Sequence, residues 1–141
     1  LAEFSVESET RQTVSSIRDI FGFLSDFKNF PSILPADKVE DFKYSGDECS
    51  FNIKGITAMT VKMKEKKPYE HIYFNSEGLA KFNFELRVFF TGNNPDSKGS
   101  CKVELIADLN PFIKIMAEKP LLQLVNTMSQ RLSELKVETV Q

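Results

Sequence analysis

The stretch Ala107-Asp-Leu-Asn-Pro-Phe-Ile-Lys-Ile-Met-Ala-Glu-Lys-Pro-Leu-Leu-Gln-Leu-Val-Asn-Thr-Met-Ser-Gln-Arg-Leu132 (ADLNPFIKIMAEKPLLQLVNTMSQRL) begins as the end of a strand and continues as a helix. Asn110 is suited to accept a hydrogen bond from a free amide at the helix start, and Pro111 takes the first helical position, where its missing N–H costs least. Pro120 either kinks this helix or restarts it as a second segment. Beyond it, Leu121, Leu124, Val125, Met128, Leu132 and Leu135 recur at helical spacing and form one apolar stripe. A stripe of that length must lie on a dry surface supplied by the rest of the chain.

The residues from Val39 to Asp108 supply it. Turn signals at Ser45-Gly-Asp47, Lys54-Gly55, Lys66-Lys-Pro68, Ser76-Glu-Gly78 and Gly92 to Gly99 separate six runs. The runs are approximately Val39–Tyr44, Cys49–Lys54, Ile56–Lys64, Glu70–Ser76, Ala80–Thr91 and Ser100–Asp108. Connections this short favour antiparallel neighbours in a meander, because a parallel return needs a crossover of about a dozen residues. In Phe82-Asn-Phe-Glu-Leu-Arg-Val-Phe-Phe90, positions 82, 84, 86, 88 and 90 are apolar and 83, 85 and 87 polar. Cys101, Val103, Leu105 and Ala107 alternate in the same way with Lys102 and Glu104. One face of the sheet is therefore expected to be dry and the other wet.

Upstream, Ala2 to Ser8 sets Phe4 and Val6 against Glu3, Ser5 and Glu7, the period of a half-buried strand. Thr13, Ser15 or Ser16 then offers a helix cap. Val14, Ile17, Phe21 and Leu24, with Ile20 and Phe23 beside them, follow at helical spacing, so the first strand is expected to feed the first helix directly. That helix must stop by about Asn29, because Pro31 and Pro35 each remove a donor and restrict the residue before them. Asp26 to Leu34 reads as a loop with a short helical turn, carrying Phe27, Phe30, Ile33 and Leu34, which cannot all sit in water.

At 141 residues the chain fits a single domain, residues 1–141. A hydrophobic content of 41% with 27% charged residues is ordinary for a globular protein. Thirteen phenylalanines and no tryptophan tilt the interior toward flat groups that need no hydrogen-bond partner. A net charge of -2 argues against nucleic acid, which needs a concentrated cationic surface. The cluster Lys62, Lys64, Lys66 and Lys67 is interleaved with Met63 and Glu65 and reads as the wet face of a strand.

No window reaches the roughly 18 apolar residues of a transmembrane segment, and Leu1 to Thr10 alternates like a strand where a signal peptide would be apolar. Cys49 and Cys101 belong to no metal-spaced pair and read as reduced packing residues of a cytoplasmic protein, although spacing alone leaves a disulfide open. No metal-ligand cluster, phosphate loop or nucleophile elbow is present, and no cofactor is expected.

The order strand, helix, short helix, six strands, long helix, together with TVSSIRDIFGFLSDFKNFPSILP (Thr13 to Pro35) and the stretch quoted first, resembles the START-like (SRPBCC) superfamily. Its members include lipid-transfer domains, polyketide aromatase/cyclases, pollen-allergen relatives and heat-shock co-chaperone activators. The resemblance covers essentially the whole chain and rests on apolar patterns, not on a catalytic signature. It implies an α+β helix-grip fold, a curved antiparallel β-sheet wrapped around a C-terminal α-helix with an internal cavity between them. One fold hosts many functions, so the activity does not follow from it.

In that architecture Phe27, Phe30, Ile33 and Leu34 would cover one end of the cavity as its mouth, or simply plug the core. Met59, Met63, Phe82, Phe84, Leu86, Leu124 and Met128 are the expected ligand-binding residues. An empty apolar void of roughly 300 Å³ would cost on the order of 7 kcal/mol, comparable to a domain's whole net stability. The space is therefore expected to hold ligand or water, or to be squeezed shut by phenylalanine and methionine side chains such as Phe82, Phe84, Phe90 and Met128, with Met59 and Met63 adapting to either state.

His71 is the single histidine and the one candidate base. If it faces inward with Tyr73 and Asn75, the three form a polar strip able to orient a phenolate or enolate. If Ile72 and Phe74 face inward it lies on the surface, the arrangement preferred because it keeps more apolar area dry. Glu85 and Arg87 read as cross-strand partners on the wet face. The expected function is non-catalytic binding, transport or sensing of a hydrophobic small molecule, lipid- or polyketide-like. The alternatives are a polyketide cyclase/dehydrase-like enzyme and a co-chaperone-like interaction module using the loop around Pro31 and Pro35. The oligomeric state is not legible in the sequence.

Overall fold

The computed structural model describes residues 2–76 and 82–137. Eight strands and two α-helices follow in the order β1 (Ala2–Glu7), β2 (Arg11–Ser16), α1 (Ile17–Leu24), a 3-10 turn (Phe27–Ser32), β3 (Val39–Ser45), β4 (Glu48–Ile53), β5 (Thr57–Lys67), β6 (His71–Ser76), β7 (Phe84–Thr91), β8 (Lys98–Leu109) and α2 (Pro111–Glu134). All pairings are antiparallel, in the spatial order β1-β8-β7-β6-β5-β4-β3, with β2 also on β8. The six expected runs are six strands, with ends shifted by a few residues. Glu77 and Gly78 of one turn signal, and Ala80 and Lys81 at the start of the fifth run, lie outside the described residues.

The N-terminal region departs from expectation, because a second strand stands between β1 and α1. β1 and β2 share β8 as their partner, joined through an irregularity at Ser8. There the Ser8 amide donates to the Val103 carbonyl at 2.8 Å, and the Ser8 hydroxyl accepts from the Val103 amide at 2.9 Å. The side chain thus replaces a carbonyl that the bend has carried out of the ladder. In Ser8→Ala the buried Val103 N–H loses its acceptor, and urea unfolding is expected to show a loss of about 1–3 kcal/mol; a change within error would mean that water replaces the hydroxyl.

β2 escaped the sequence reading because its polarity is inverted. Thr13 points inward, its hydroxyl donating to Ser15 O at 2.8 Å and accepting from Gly99 N at 3.0 Å, whereas Val14 is 43% exposed. Val14 is therefore not on the helix face where its spacing had placed it. Of the three candidate caps, Ser16 is the one used, accepting from Asp19 N at 3.2 Å.

α1 has only eight residues and ends at Leu24, before Asn29. It is too short to be stable alone and is held from outside. The first two helical amides, of Ile17 and Arg18, donate to the Ser97 and Pro95 carbonyls of the β7–β8 loop at 3.1 and 2.9 Å. The Arg18 guanidinium bonds Asp96 Oδ1 and the Tyr69 hydroxyl, both at 2.6 Å.

α2 starts as its sequence dictates: Asn110 Oδ1 accepts from Ile113 N at 3.0 Å and Pro111 opens the first turn. The helix continues through Pro120 as one element. The carbonyl that loses its amide partner there belongs to the exposed residue Met116, within reach of water. α2 lies along β8, β2 and β1, with Leu121, Leu124, Val125, Met128 and Leu132 buried and Leu135 partly buried against the same core. The inner faces of β7 and β8 contribute alternate residues to this core, including Leu86, Val88, Val103 and Leu105.

The outer face is wet, and its charges pair. Arg87 meets Glu85 at 3.2 Å and Glu104 at 3.9 Å, Lys64 meets Glu85 at 3.5 Å, Lys62 meets Asp47 at 3.8 Å and Lys67 meets Glu70 at 3.1 Å. Pairs this exposed organise the surface and contribute little stability.

Candidate functional site

The corner after α1 is built from short-range rules. Asp26 caps the 3-10 turn, its carboxylate accepting from Lys28 N at 3.0 Å, and Pro31 and Pro35 prevent continuation into an α-helix. Two polar ties hold the corner to its neighbours. Asn29 Nδ2 donates to the Phe23 carbonyl at 2.9 Å, and Arg131 Nη1 of α2 donates to the Leu34 carbonyl at 2.5 Å.

Phe27, Phe30, Ile33 and Leu34 are all buried. Phe27 and Phe30 lie edge-on with ring centres 4.8 Å apart, and both reach the ring of Phe74 on β6, at 5.7 and 5.4 Å. Phe74 is the meeting point of this part of the core, since its strand neighbours in register are Met63 on β5 and Leu86 on β7. The alternation Ile72-Tyr-Phe74 signalled that it faces inward, but not that the corner would reach it.

Of the expected ligand-binding residues, Met59, Phe82, Phe84, Leu86, Leu124 and Met128 are buried and Met63 is partly buried against the same core. Phe82 and Phe84 are edge-on at 6.1 Å. They belong to one core cluster that also includes Phe27, Phe30, Ile33 and Leu34 of the corner. Over β6 the packed rings come from the corner and not only from the sheet and α2.

An apolar groove of about 250 Å³ opens beside the corner, lined by Pro31, Leu34, Ala36, Val39 and Phe42 with Glu40 and Asp41. Leu34 belongs to both groove and core. Asp41 has a left-handed backbone (φ 58°) at an irregularity of the edge strand β3, and its Oδ2 accepts from Asn52 Nδ2 at 3.0 Å. A larger groove of about 390 Å³ lies over Lys64, Asn75, Glu85 and Asp108 on the outer face. Its charged lining fits a solvated channel better than an apolar site.

His71 lies on the outer face, as the dry-area argument preferred, while Ile72 and Phe74 are fully buried. Its Nε2 pairs with Glu65 Oε2 at 2.5 Å, and its ring stacks on Tyr73 at 4.1 Å, with Arg87 5.1 Å from the Tyr73 ring centre. The polar strip envisaged around His71 therefore exists, but on the outer face of the sheet.

The buried hydroxyls of α2 are also engaged: Ser129 donates to Asn126 O at 3.1 Å and accepts from Arg11 Nε at 3.3 Å, and Ser133 donates to Gln130 O at 2.7 Å. Among the described residues, no buried side-chain nitrogen or oxygen lacks a partner.

Cys49 and Cys101 are both free and buried, so no disulfide joins them. Burial pushes the Cys49 thiol up to about 12 and the Cys101 thiol up to about 11, with Arg11 pulling the latter slightly down. Only the thiolate attacks a disulfide reagent, so at pH 8 reaction with dithionitrobenzoate is expected to be slower than for a free thiol by about a hundred-fold or more in the folded protein, and to become fast in denaturant. Rapid labelling of the native protein would show that one of the two sites opens readily.

No protein-family model and no curated protein matches the chain. Among solved structures it is similar to norcoclaurine synthase from Thalictrum flavum in complex with dopamine and hydroxybenzaldehyde, with TM-score 0.67, 14% identity, 94% of this chain and 85% of that chain covered. It is also similar to a START superfamily protein from Mycobacterium smegmatis, with TM-score 0.62, 16% identity and coverage of 92% and 96%. A protein from Thermus thermophilus matches with TM-score 0.67, 13% identity and coverage of 92% and 94%. At these identities the likeness shows the fold.

Proposed function

For a chain with the START-like helix-grip fold, we propose that the protein binds a hydrophobic small molecule, lipid- or polyketide-like, between the sheet and α2, and that the corner after α1 is the gate. The observation that carries this reading is the origin of the closing rings. Phe27 and Phe30 occupy the space over Phe74 but ride on a short 3-10 turn, between a groove on one side and the core on the other. If the turn swings out, volume opens over Phe74, Met63 and Leu86 while the strand ladders and α2 stay in place. The closed resting state is what the cost of a dry void requires. A guest repays the displacement of the rings by burying its own apolar surface.

Native mass spectrometry of protein purified from cells, combined with titration of a fluorescent fatty acid and a polyaromatic probe, tests the reading. A co-purifying mass or saturable binding of either probe is expected; neither appearing would remove it. The enzymatic alternative draws on the likeness to norcoclaurine synthase, which reaches only to the fold. The fully buried ionisable groups among the described residues are two protonated thiols, and His71 faces out, so binding is the reading adopted.

A further inference from the structure

The first turns of α2 carry apolar side chains that the core does not use. Phe112 is 82% exposed, Ile115 79% and Met116 53%, and Leu122 extends the same side. Spacings of three and four place these residues together, opposite the buried Ala117, Leu121 and Leu124. Large aliphatic and aromatic groups held this far into water mark a surface that is covered in use.

We propose that this face docks on a lipid bilayer, with Phe112, Ile115 and Met116 entering the headgroup region. Area is the first argument. The exposed parts of the three side chains amount to roughly 400 Å², about half of the roughly 800 Å² that each partner buries in a stable protein interface. A second copy of the chain would have to bury about as much area again from the polar and charged residues around the tips, whereas shallow insertion needs only a few apolar tips.

Charge is the second argument. Lys119 lies on the same side of the helix as the tips, four residues after Ile115, and Lys114 stands in the same first turns on the adjacent side; both are exposed and neither is ion-paired among the described residues, so their ammonium groups are free to reach lipid phosphates. Glu118 is the single acid among residues 111–122. The docking surface stands on exposure and charge and does not depend on the interior's being a binding site. Were both readings true, the buried face of the same helix would carry the guest to its source.

The test is flotation with vesicles of phosphatidylcholine alone and of phosphatidylcholine with phosphatidylglycerol, alongside sedimentation velocity without lipid. Wild-type protein is expected to float with both, more strongly with the anionic vesicles. Phe112→Ser/Ile115→Ser should bind at least roughly ten-fold more weakly with an unchanged melting temperature, since neither side chain serves the core. Lys114→Glu/Lys119→Glu should lose the preference for anionic vesicles. Wild-type protein that stays with neither vesicle would overturn the proposal, as would self-association abolished by the double serine variant, which would assign the face to a second copy. Binding of the soluble fluorescent probes without vesicles should be the same in wild type and the serine variant, so the two readings fail separately.

Discussion

Phe30→Ala is expected to lower the unfolding free energy by about 3–5 kcal/mol, as large-to-small changes of buried aromatic residues do. Phe30 is almost completely buried and its ring touches those of Phe27 and Phe74, so truncation removes transfer energy and leaves a cavity that the flanking prolines keep the turn from closing. For a domain whose net stability is about 5–15 kcal/mol, the loss is large but need not unfold it. The same substitution does by mutation what the gate is proposed to do by motion. A polyaromatic probe should therefore bind the variant faster than the wild type, and bound probe should recover part of the lost stability. Urea titration with and without probe separates the outcomes. A loss below about 1 kcal/mol would show that the ring is not packed as described. A full loss with no probe effect would leave the corner a plug and nothing more.

Gly99→Ala is expected to cost about 3 kcal/mol, the upper range for overpacking, for a different reason. A Cβ at Gly99 would fall inside the contact distance of the Thr91 carbonyl oxygen across the β7–β8 ladder and lie 2.9 Å from Ile17 Cδ1. Backbone cannot yield as a side-chain tip does, and Ile17 is the first residue of α1, pressed onto the hairpin. Gly92→Ala is the control, because its Cβ would meet Ile17 Cγ1 at 3.4 Å and nothing nearer. Thermal melts of the two variants should differ by several degrees. Equal melting temperatures would mean that the hairpin spreads at little cost.

Much of the architecture was legible because it rests on short periods. Alternation from Phe82 to Phe90 and from Cys101 to Ala107 assigned the inner face, and the burial of Phe84, Leu86, Val103 and Leu105 follows it residue by residue. Asn110 and Pro111 marked the start of α2 because capping is a matter of a few neighbouring atoms. β2 was not legible, because a buried threonine and an exposed valine reverse the usual signal, and what justifies Thr13 is an amide of Gly99 more than eighty residues away in the chain. The exposed apolar tips of α2 were equally hidden. Hydropathy registers Phe112 and Leu121 alike, and only the position of the body shows that one has a partner and the other has water.

The sequence by itself determined which side of each strand and helix is dry, since a side chain's direction follows from the repeat of its own backbone. The tertiary structure decided which groups meet on the dry and wet sides: that Phe27 and Phe30 lie on Phe74, and that His71 stacks on Tyr73 in the outer layer. The reason is volume. Whether two apolar surfaces enclose a space or close on each other depends on the summed size and placement of side chains from distant segments, and no local period carries that sum.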